Sequence, residues 1–246
     1  MMINNNSRGL TDVANVIYIL YYKLPRILDS KTTLNLIGSL SIKDQKFLLS
    51  IQNKEAQRRS LVGRIMLKYI TSELCITDSA SIQMTSRGKP YFSSHPYINY
   101  NISHSGKMVV CCVTLNSKIG IDVEIKKTLR LNNFHKYFQP EEWIVLQNSS
   151  CQISMFFDLW TRKEALIKAD GRGMEIDLKS LNGLNNSEQI GANKWFLQNI
   201  ELIKNYSCAI ACEKIKPIKI LNLNKTINFD SFLNVNLMLI SNEVKK

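Results

Sequence analysis

Two acidic side chains alternate with aliphatic ones over residues 120–125, which read GIDVEI. Because successive side chains of a strand point to opposite faces, this alternation predicts a strand with Asp122 and Glu124 on one face. Three apolar side chains would then face the core: Ile121, Val123 and Ile125. At a rise of about 3.3 Å per residue, the two acidic positions would lie about 7 Å apart. The pattern therefore predicts a strand that carries a pair of carboxylates at the margin of a core.

Two like charges close to a core are costly unless a cation or a proton lies between them. A hard divalent ion would resolve that conflict, since carboxylate oxygens favour Mg²⁺ or Ca²⁺. Mg²⁺ held by only two or three carboxylates keeps positions open for water and for a substrate phosphate. The alternative is an edge strand whose acids are solvated. Both interpretations remain open from this segment alone.

A second segment, residues 156–168, has the apolar periodicity of a helix. Trp160, Glu164 and Lys168 are spaced four residues apart and so fall on one stripe of that helix. Gly171 is typical of a helix end. This stripe places an acid and a lysine beside a large aromatic side chain. The acid suits the role of a third metal ligand or a base, and the lysine suits that of a cation that binds phosphate. The alternative is a surface ion pair, which contributes about 0.2–0.5 kcal/mol.

A third segment, residues 101–106, reads NISHSG. In order and spacing, the three segments NISHSG, GIDVE and WTRKEALIK (residues 160–168) resemble the signatures of the 4'-phosphopantetheinyl transferases of the Sfp type. The resemblance extends upstream through Arg59 and residues 87–90 (RGKP). It implies a holo-carrier-protein synthase, an enzyme that moves the phosphopantetheine arm of coenzyme A to a serine of an acyl or peptidyl carrier protein. The second product would be 3',5'-ADP.

The resemblance also implies a fold. Sfp-type enzymes are α/β (α+β) proteins with two similar subdomains, related by a pseudo-twofold axis, and an active site at the subdomain interface. Applied to this chain, residues 1–117 would form the N-terminal, coenzyme A-binding subdomain. Residues 118–246 would form the C-terminal subdomain with the carboxylates, including an extension from about residue 216 to which we assign no function.

The family's metal and catalytic roles fall on four residues of this chain. By resemblance, Asp122, Glu124 and Glu164 would hold Mg²⁺ against the pyrophosphate, and Lys168 would neutralise charge on a phosphate oxygen. Glu164 or Glu124 would accept the proton of the carrier serine, directly or through water. The attack would be in line on the β-phosphate, a reaction that needs positioning, charge neutralisation and a base.

The resemblance places coenzyme A on further residues. Arg59 would grip the 3'-phosphate, while Lys89 and Pro90 would lie along the adenine. Ser103 and His104 would contact the phosphates together with Lys168. A solvated basic helix face is the alternative for the arginines that neighbour Arg59.

A formal net charge of +12 predicts an acidic partner. By the resemblance, that partner would be an acidic carrier protein, and coenzyme A is itself a polyanion. A lysine bias spread over a solvated surface is the alternative. Two other function classes are a metal-dependent nuclease and a basic nucleic-acid-binding protein. The nuclease leaves the NISHSG and RGKP segments without a role, and the binding protein explains only the charge, so we expect no nucleic-acid partner.

The sequence favours a reducing compartment. Its six cysteines contain no CxxC pair and are interpreted as buried small hydrophobic residues, with Cys111 and Cys112 on opposite faces of a strand. The N-terminal region lacks the features of a signal peptide, and no apolar run approaches the length of a membrane span. We therefore expect a cytoplasmic monomer with no membrane partner.

Periodicity and turn residues predict further elements. Strands are expected over residues 13–22, 108–115, 195–203, 206–213 and, weakly, 218–223. Helices are expected over residues 41–54, over residues 61–70, and from Pro140, where Glu141 and Glu142 suit the first turn.

Overall fold

A computed structural model describes residues 14–25, 30–74 and 82–226. The helices are α1 (Ser30–Gly38), α2 (Ile42–Ser50), α3 (Lys54–Glu73), α4 (Pro140–Asn148), α5 (Gln152–Asp170) and α6 (Leu223–Thr226). The strands are β1 (Ile17–Lys23), β2 (Ile82–Met84), β3 (Pro90–Phe92), β4 (Ile98–Ser105), β5 (Met108–Leu115), β6 (Ile119–Ile125), β7 (Ser187–Ile190), β8 (Asn193–Asn199), β9 (Tyr206–Cys212) and β10 (Ile218–Asn222). Short 3-10 helices span Leu131–Tyr137, Gly173–Glu175 and Leu178–Ser180.

The first sheet has the strand order β10-β1-β5-β4, with β10 parallel to β1 and the other neighbours antiparallel. Helix α3 covers its outer face, and Leu61 and Ile65 pack with Val109 and Cys111 in a shared core. Asn53 caps α3 by accepting a hydrogen bond from the backbone NH of Ala56, which fixes where the helix begins.

The second sheet has the antiparallel order β6-β9-β8-β7. Helix α5 covers its outer face and packs Ala165 and Leu166 against Trp195 and Ala209. Gly171 ends α5 in the left-handed conformation, at φ 88°, where glycine has no steric penalty.

The two sheets pack face to face around a third core, which places the layers in the order α3, first sheet, second sheet, α5. This core joins Ile19 of β1 and Val110 of β5 to Val123 of β6 and Ile210 of β9. Side chains of β1 and β5 alternate between this core and the one beneath α3, as expected for strands buried on both faces. The α+β class with two halves of similar plan is confirmed.

Most predicted elements are present with shifted ends. The helix predicted over residues 41–54 ends at Ser50. The backbone becomes extended at Ile51, and a separate helix, α3, begins after its cap Asn53. Cys111 and Cys112 are buried in different cores, as the strand alternation predicts. Cys151, by contrast, is exposed at the start of α5, so its prediction as a buried residue is wrong. Cys75 lies outside the described residues.

Strand β10 confirms the weak strand predicted over residues 218–223. It pairs in parallel with β1, so a segment from the second half of the chain completes the sheet of the first half. The division of the chain between residues 117 and 118 stays a prediction. Within the described ranges, no helix combines the length and the hydropathy needed to cross a membrane.

Candidate active site

Polar side chains of β4 connect the two sheets at the edge where β4 meets β6. Asn101 accepts a hydrogen bond of 3.0 Å from the backbone NH of Ile121 through its Oδ1. Two residues further along β4, Ser103 Oγ donates to Asp122 Oδ1 at 2.8 Å. These side chains form a row, because alternate residues of a strand share one face. The row joins the two sheets by side-chain hydrogen bonds at this edge.

Ser105 is the third member of the row. Its Oγ donates to Glu124 Oε2 at 2.5 Å and accepts from the backbone NH of Ile125 at 3.1 Å. Both carboxylates of β6 are therefore held by hydroxyl groups from the other half of the molecule. Ser105 was absent from the predicted site, although its place two residues after Ser103 on one strand face was a usable signal.

Helix α5 approaches β6 closely at Gly120. A Cβ atom at this position would overlap the carbonyl oxygen of Ala165 and the amide nitrogen of Ala169, and it would lie 2.9 Å from Ala169 Cα. The absence of a side chain thus lets the helix backbone rest on the strand. Glu164 and Lys168, which flank these contacts on α5, are brought to the acidic face of β6.

Lys168 joins the helix to both sheets. Its Nζ donates to Asp122 Oδ1 at 2.6 Å and to Ser103 Oγ at 2.9 Å. Asp122 is only 3% exposed, and its second oxygen, Oδ2, is buried without a hydrogen-bond partner. A buried carboxylate oxygen without a partner is uncommon in folded proteins, because its lost hydration is not replaced. Asp122 therefore has one buried oxygen whose capacity to bind a cation or a hydrogen-bond donor is unused.

The three predicted carboxylates influence one another electrostatically. Desolvation raises the pKa of Glu164, and the charge of Asp122 raises it further, while Lys168 lowers it. Desolvation also raises the pKa of Glu124; the hydrogen bond from Ser105 opposes this shift, and Asp122 adds to it. Asp122, Glu124 and Glu164 are therefore near enough to influence one another's charge, and the prediction that they hold one ion stays a prediction. In the part of the chain that the structure describes, no three acidic, histidine or cysteine side chains are already grouped as ligands of one ion.

Cationic groups border the cluster on the N-terminal side. Desolvation lowers the pKa of His104, and the charges of Arg59 and Lys168 lower it further. Arg59 Nη1 lies 3.4 Å from the carbonyl oxygen of Gly106, and its Nε is buried without a partner. Gly106 itself has φ 54°, which favours glycine in this turn. Arg59 and Lys168 therefore form a positively charged rim beside the carboxylates, and the lowered pKa of His104 favours a neutral imidazole in that rim.

Lys89 and Pro90 lie at the tip of the β2–β3 hairpin, whose turn contains Gly88 at φ 81°. Lys89 Nζ donates to the carbonyl oxygen of Ala169 at 2.5 Å, near the end of α5. Burial lowers the pKa of Lys89 to about 8. Lys89 therefore contacts the C-terminal end of α5, which also carries Lys168, and so links the two halves of the molecule.

Trp160 is separated from the carboxylates along the predicted stripe. It stacks on Phe156, with ring centroids 5.7 Å apart, and meets Phe134 and Tyr137 edge to face. The aromatic cluster anchors the 3-10 helix Leu131–Tyr137 to α5. Trp160 therefore contributes to packing. It lies one helical turn before Glu164 and two turns before Lys168.

An ion pair that the sequence analysis did not assign lies on the other side of α5. Lys163 Nζ is 2.5 Å from Glu142 Oε2 and also donates to the carbonyl oxygens of Tyr137 and Leu178. Glu142 Oε2 accepts the backbone NH of Gln139 at 2.8 Å, so the predicted capping of α4 is present. The sequence around Pro140 was sufficient to predict that Glu142 caps the helix. It was not sufficient to predict Lys163 as the partner of Glu142, because Lys163 lies in another helix.

Comparison with known proteins agrees with this architecture. The family model described as "4'-phosphopantetheinyl transferase, N-terminal" matches residues 29–116. The model of the 4'-phosphopantetheinyl transferase superfamily matches residues 118–211, which include β6 and α5. The carboxylates and Lys168 thus come from the part matched by the second model, and Ser103 and Ser105 from the part matched by the first.

Individual relatives cover most of the chain. The 4'-phosphopantetheinyl transferase gsp of Aneurinibacillus migulanus is 30% identical over 220 residues, which are 85% of this chain and 91% of that protein. The 4'-phosphopantetheinyl transferase Sfp of Bacillus subtilis (strain 168) is 31% identical over 134 residues, 53% of this chain and 59% of the relative. The 4'-phosphopantetheinyl transferase HetI of Nostoc sp. is 30% identical over 170 residues, 64% of this chain and 70% of the relative.

Together the two family models cover both halves of the α+β fold that meet at this site. The chain belongs to the 4'-phosphopantetheinyl transferase superfamily. Enzymes of this family take the phosphopantetheine group from coenzyme A and attach it to carrier proteins. Family membership therefore confirms the predicted enzyme class over the nuclease and nucleic-acid-binding alternatives.

Proposed function

We propose that this chain catalyses a Mg²⁺-dependent transfer that releases 3',5'-ADP, with Asp122, Glu124 and Glu164 as the residues that would hold the ion. The observation that carries this proposal is the buried Oδ2 of Asp122, which has no partner in the structure. Mg²⁺ prefers oxygen ligands and is commonly bound by one or two carboxylates together with substrate phosphates, so this donor set fits it. Bound there, the ion would neutralise charge that develops on the pyrophosphate.

The protein's own groups would supply the remaining requirements of the reaction. Lys168, hydrogen-bonded to Ser103 and Asp122, is a fixed positive charge next to the unpartnered Oδ2 of Asp122. A cation held in this way stabilises a phosphate in the transition state without having to reorganise. Ser103 keeps both partners in place, because it donates to one and accepts from the other.

A base is needed to remove the proton of the carrier serine, and either Glu164 or Glu124 would accept it, directly or through water. Burial and Asp122 raise the pKa of Glu164 above that of an ordinary carboxyl group. A raised pKa makes a carboxylate a stronger base near neutral pH. Glu124 has the same tendency, which Ser105 counteracts through its hydrogen bond.

The positively charged rim is the proposed contact for coenzyme A. Arg59 would bind the 3'-phosphate, and Ser103, His104 and Lys168 would contact the other phosphates. Support comes from the buried, unpartnered Nε of Arg59 and from the charges that shift the pKa of His104. Lys89 and Pro90, at the tip of the β2–β3 hairpin, would lie along the adenine.

The carrier protein would be acidic. A net charge of +12 favours association with such a partner through long-range steering. Steering is weakened by salt over a Debye length of about 10 Å at 0.1 M. The Michaelis constant for an acidic carrier should therefore rise with ionic strength, with less change in turnover at saturation. A Michaelis constant independent of salt would contradict this part of the proposal.

We further propose a cytoplasmic monomer, in keeping with the free thiols of the described cysteines.

The proposed reaction is tested by incubating the full chain with coenzyme A and an apo carrier protein, with Mg²⁺ or with excess chelator. We expect a carrier mass increased by one phosphopantetheine group and a matching amount of 3',5'-ADP, both only when Mg²⁺ is present. Transfer at an equal rate under chelation would contradict the Mg²⁺ requirement. Carrier modification without release of 3',5'-ADP would contradict the reaction.

A further inference from the structure

The hydroxyl group of Ser105 is fixed by a hydrogen bond on each side. The backbone NH of Ile125 can only donate, so Ser105 Oγ accepts from it, at 3.1 Å. The single hydroxyl proton is then directed to Glu124 Oε2, which lies 2.5 Å away. Distances of about 2.5–2.7 Å are typical of hydrogen bonds from a hydroxyl to an ionised carboxylate, which are stronger than those between neutral groups. Ser105 therefore binds one defined oxygen of Glu124.

Glu124 is a half-buried residue with a long, flexible side chain. Within residues 14–25, 30–74 and 82–226, no cation forms a salt bridge with it, and no second donor forms a hydrogen bond with its carboxylate. Holding such a side chain in one conformation has an entropic cost, which a strong hydrogen bond offsets. The contact with Ser105 therefore occupies Oε2 and leaves Oε1 as the oxygen that can bind another partner.

The other carboxylate of β6 follows the same pattern. Asp122 Oδ1 accepts from Ser103 at 2.8 Å, while Oδ2 has no partner. Each acid is thus bound through one oxygen by a serine of β4, and the second oxygen of each accepts no hydrogen bond from the described residues. The serines differ in their second contact, because Ser103 accepts from Lys168 and Ser105 accepts from the backbone of β6. Ser105 is therefore dedicated to Glu124.

The number of oxygens that a carboxylate offers influences the choice between hard cations. Ca²⁺ takes about six to eight oxygen ligands in a flexible geometry and can bind a carboxylate through both oxygens. Mg²⁺ is smaller, demands near-ideal octahedral geometry and usually keeps several waters. A carboxylate with one oxygen occupied by a serine hydroxyl offers a single ligand position. Such a carboxylate therefore suits Mg²⁺ better than Ca²⁺.

We propose that Ser105 is a positioning residue that makes the metal site selective for Mg²⁺ over Ca²⁺. By occupying Oε2 of Glu124, it restricts this carboxylate to coordination through Oε1. The inference rests on the proposed function, in which Glu124 is a ligand of the ion. Loss of the Ser105 hydroxyl frees Oε2, so that Glu124 can bind the larger ion through both oxygens. The N-terminal half of the molecule thereby contributes to the selectivity of a site whose acids all lie in the C-terminal half.

The test titrates the full chain with Mg²⁺ and, separately, with Ca²⁺. Calorimetry is performed with saturating coenzyme A and without a carrier protein, so that no transfer takes place, and titrations of coenzyme A alone provide the blank. The readout is the ratio of the association constants for Mg²⁺ and Ca²⁺. Ser105→Ala should lower this ratio at least about fivefold, because Glu124 is no longer limited to one oxygen. Thermal unfolding with each ion provides a second measure of affinity.

Two further variants separate selectivity from structural support. Ser105→Thr keeps the hydroxyl group and should leave the ratio within about twofold of that of the unaltered chain. The matched control is Asn101→Ala. Asn101 belongs to the same row of β4, but its hydrogen bond of 3.0 Å goes to the backbone NH of Ile121 and not to a carboxylate. Its loss should lower stability, because a buried NH loses its acceptor, and should change the ratio by less than about twofold.

An equal loss of affinity for both ions in Ser105→Ala would overturn the proposal, since it would give Ser105 a purely structural role. An equal fall of the ratio in Asn101→Ala or in Ser105→Thr would also overturn it. If Ser105→Ala does not fold, Ser105→Cys decides in its place, because a thiol is only a weak hydrogen-bond donor. An unaltered chain that binds no Mg²⁺ would contradict the proposed metal site as well, so the failure of the selectivity proposal alone is distinguishable from the failure of both.

Discussion

Lys163 and Glu142 form an ion pair, 2.5 Å between Nζ and Oε2, that is closed off from solvent on both sides, with side chains 1% and 0% exposed. The pair ties α5 to α4, and Glu142 Oε1 also accepts the backbone NH of Gly183 at 2.7 Å. Lys163 directly precedes Glu164 of the proposed site. A structural ion pair and a carboxylate with a proposed catalytic role therefore occupy adjacent positions of one helix.

We expect Lys163→Met to lower the free energy of unfolding by about 3–5 kcal/mol, because it leaves Glu142 buried without a counter-charge. The double variant Lys163→Met with Glu142→Leu should recover part of this loss. Recovery should be incomplete, since the backbone NH groups of Gln139 and Gly183 lose their acceptor. Chemical denaturation of the single and double variants measures both values. Equal stability of Lys163→Met and the unaltered chain would contradict this account.

Gly120→Ala should force α5 away from β6. The added Cβ would meet backbone atoms of Ala165 and Ala169, which cannot rotate away as side chains do. Overpacking of this kind costs about 1–3 kcal/mol. Transfer should also fall, because Glu164 and Lys168 move relative to Asp122. The matched control is Gly38→Ala near the end of α1, where an added Cβ meets nothing within 4 Å. Denaturation and transfer assays of both variants make the comparison, and similar effects would exclude the proposed close packing.

Glu164→Gln should stabilise the free protein at neutral pH while it lowers turnover. The folded-state pKa of Glu164 is raised above its ordinary value of 4.5 by desolvation and by Asp122. A carboxyl group with a raised folded pKa stabilises the fold below its unfolded pKa, and this contribution is lost as pH rises through the folded pKa. At neutral pH the ionised group is therefore a net cost that glutamine removes. Melting temperatures at pH 4 and pH 7, with calorimetric coenzyme A affinity as a control, measure this effect. A variant less stable than the unaltered chain at pH 7 would contradict it.

We expect Lys89 to make coenzyme A binding dependent on pH. Its pKa is lowered to about 8 by burial, so the ammonium loses its proton as pH rises through that value. If the lysine faces an anionic nucleotide, the dissociation constant of coenzyme A should increase between pH 7 and pH 9. In Lys89→Met the affinity should be weaker at pH 7, and this increase should be absent. Calorimetric titration at the two pH values measures both. An identical increase in the variant would assign the pH dependence to another group.

Short-range patterns predicted much of this molecule. The alternation at residues 120–125 predicted β6, and Gly171 predicted the end of α5, because strand periodicity and left-handed glycine ends are local properties. The pairing of β10 with β1 could not be read in this way, since it joins residues about 200 positions apart. The same holds for the contact of Lys89 with Ala169.

The proposed site follows the same rule. The acids of β6 and the helix stripe were visible as patterns, and the resemblance to a family linked them. The contacts from Ser103 and Ser105 to these acids depend on how two sheets meet, which no local pattern contains. Trp160 lay on the predicted stripe, yet its ring packs with other aromatic side chains. Helical spacing determines the direction in which a side chain points, but it does not determine which residues that side chain contacts.

We propose that Asp122, Ser103 and Lys168 form one centre for phosphoryl transfer. The decisive measurement is the rate of phosphopantetheine transfer by Asp122→Asn at saturating coenzyme A and Mg²⁺, followed by the mass of the carrier protein. Asparagine keeps the shape and can still accept from Ser103 and Lys168, but it lacks the charge. We predict a rate lower by about a hundredfold or more, with melting temperature and coenzyme A binding still measurable. A rate within about threefold of the unaltered chain would contradict the claim.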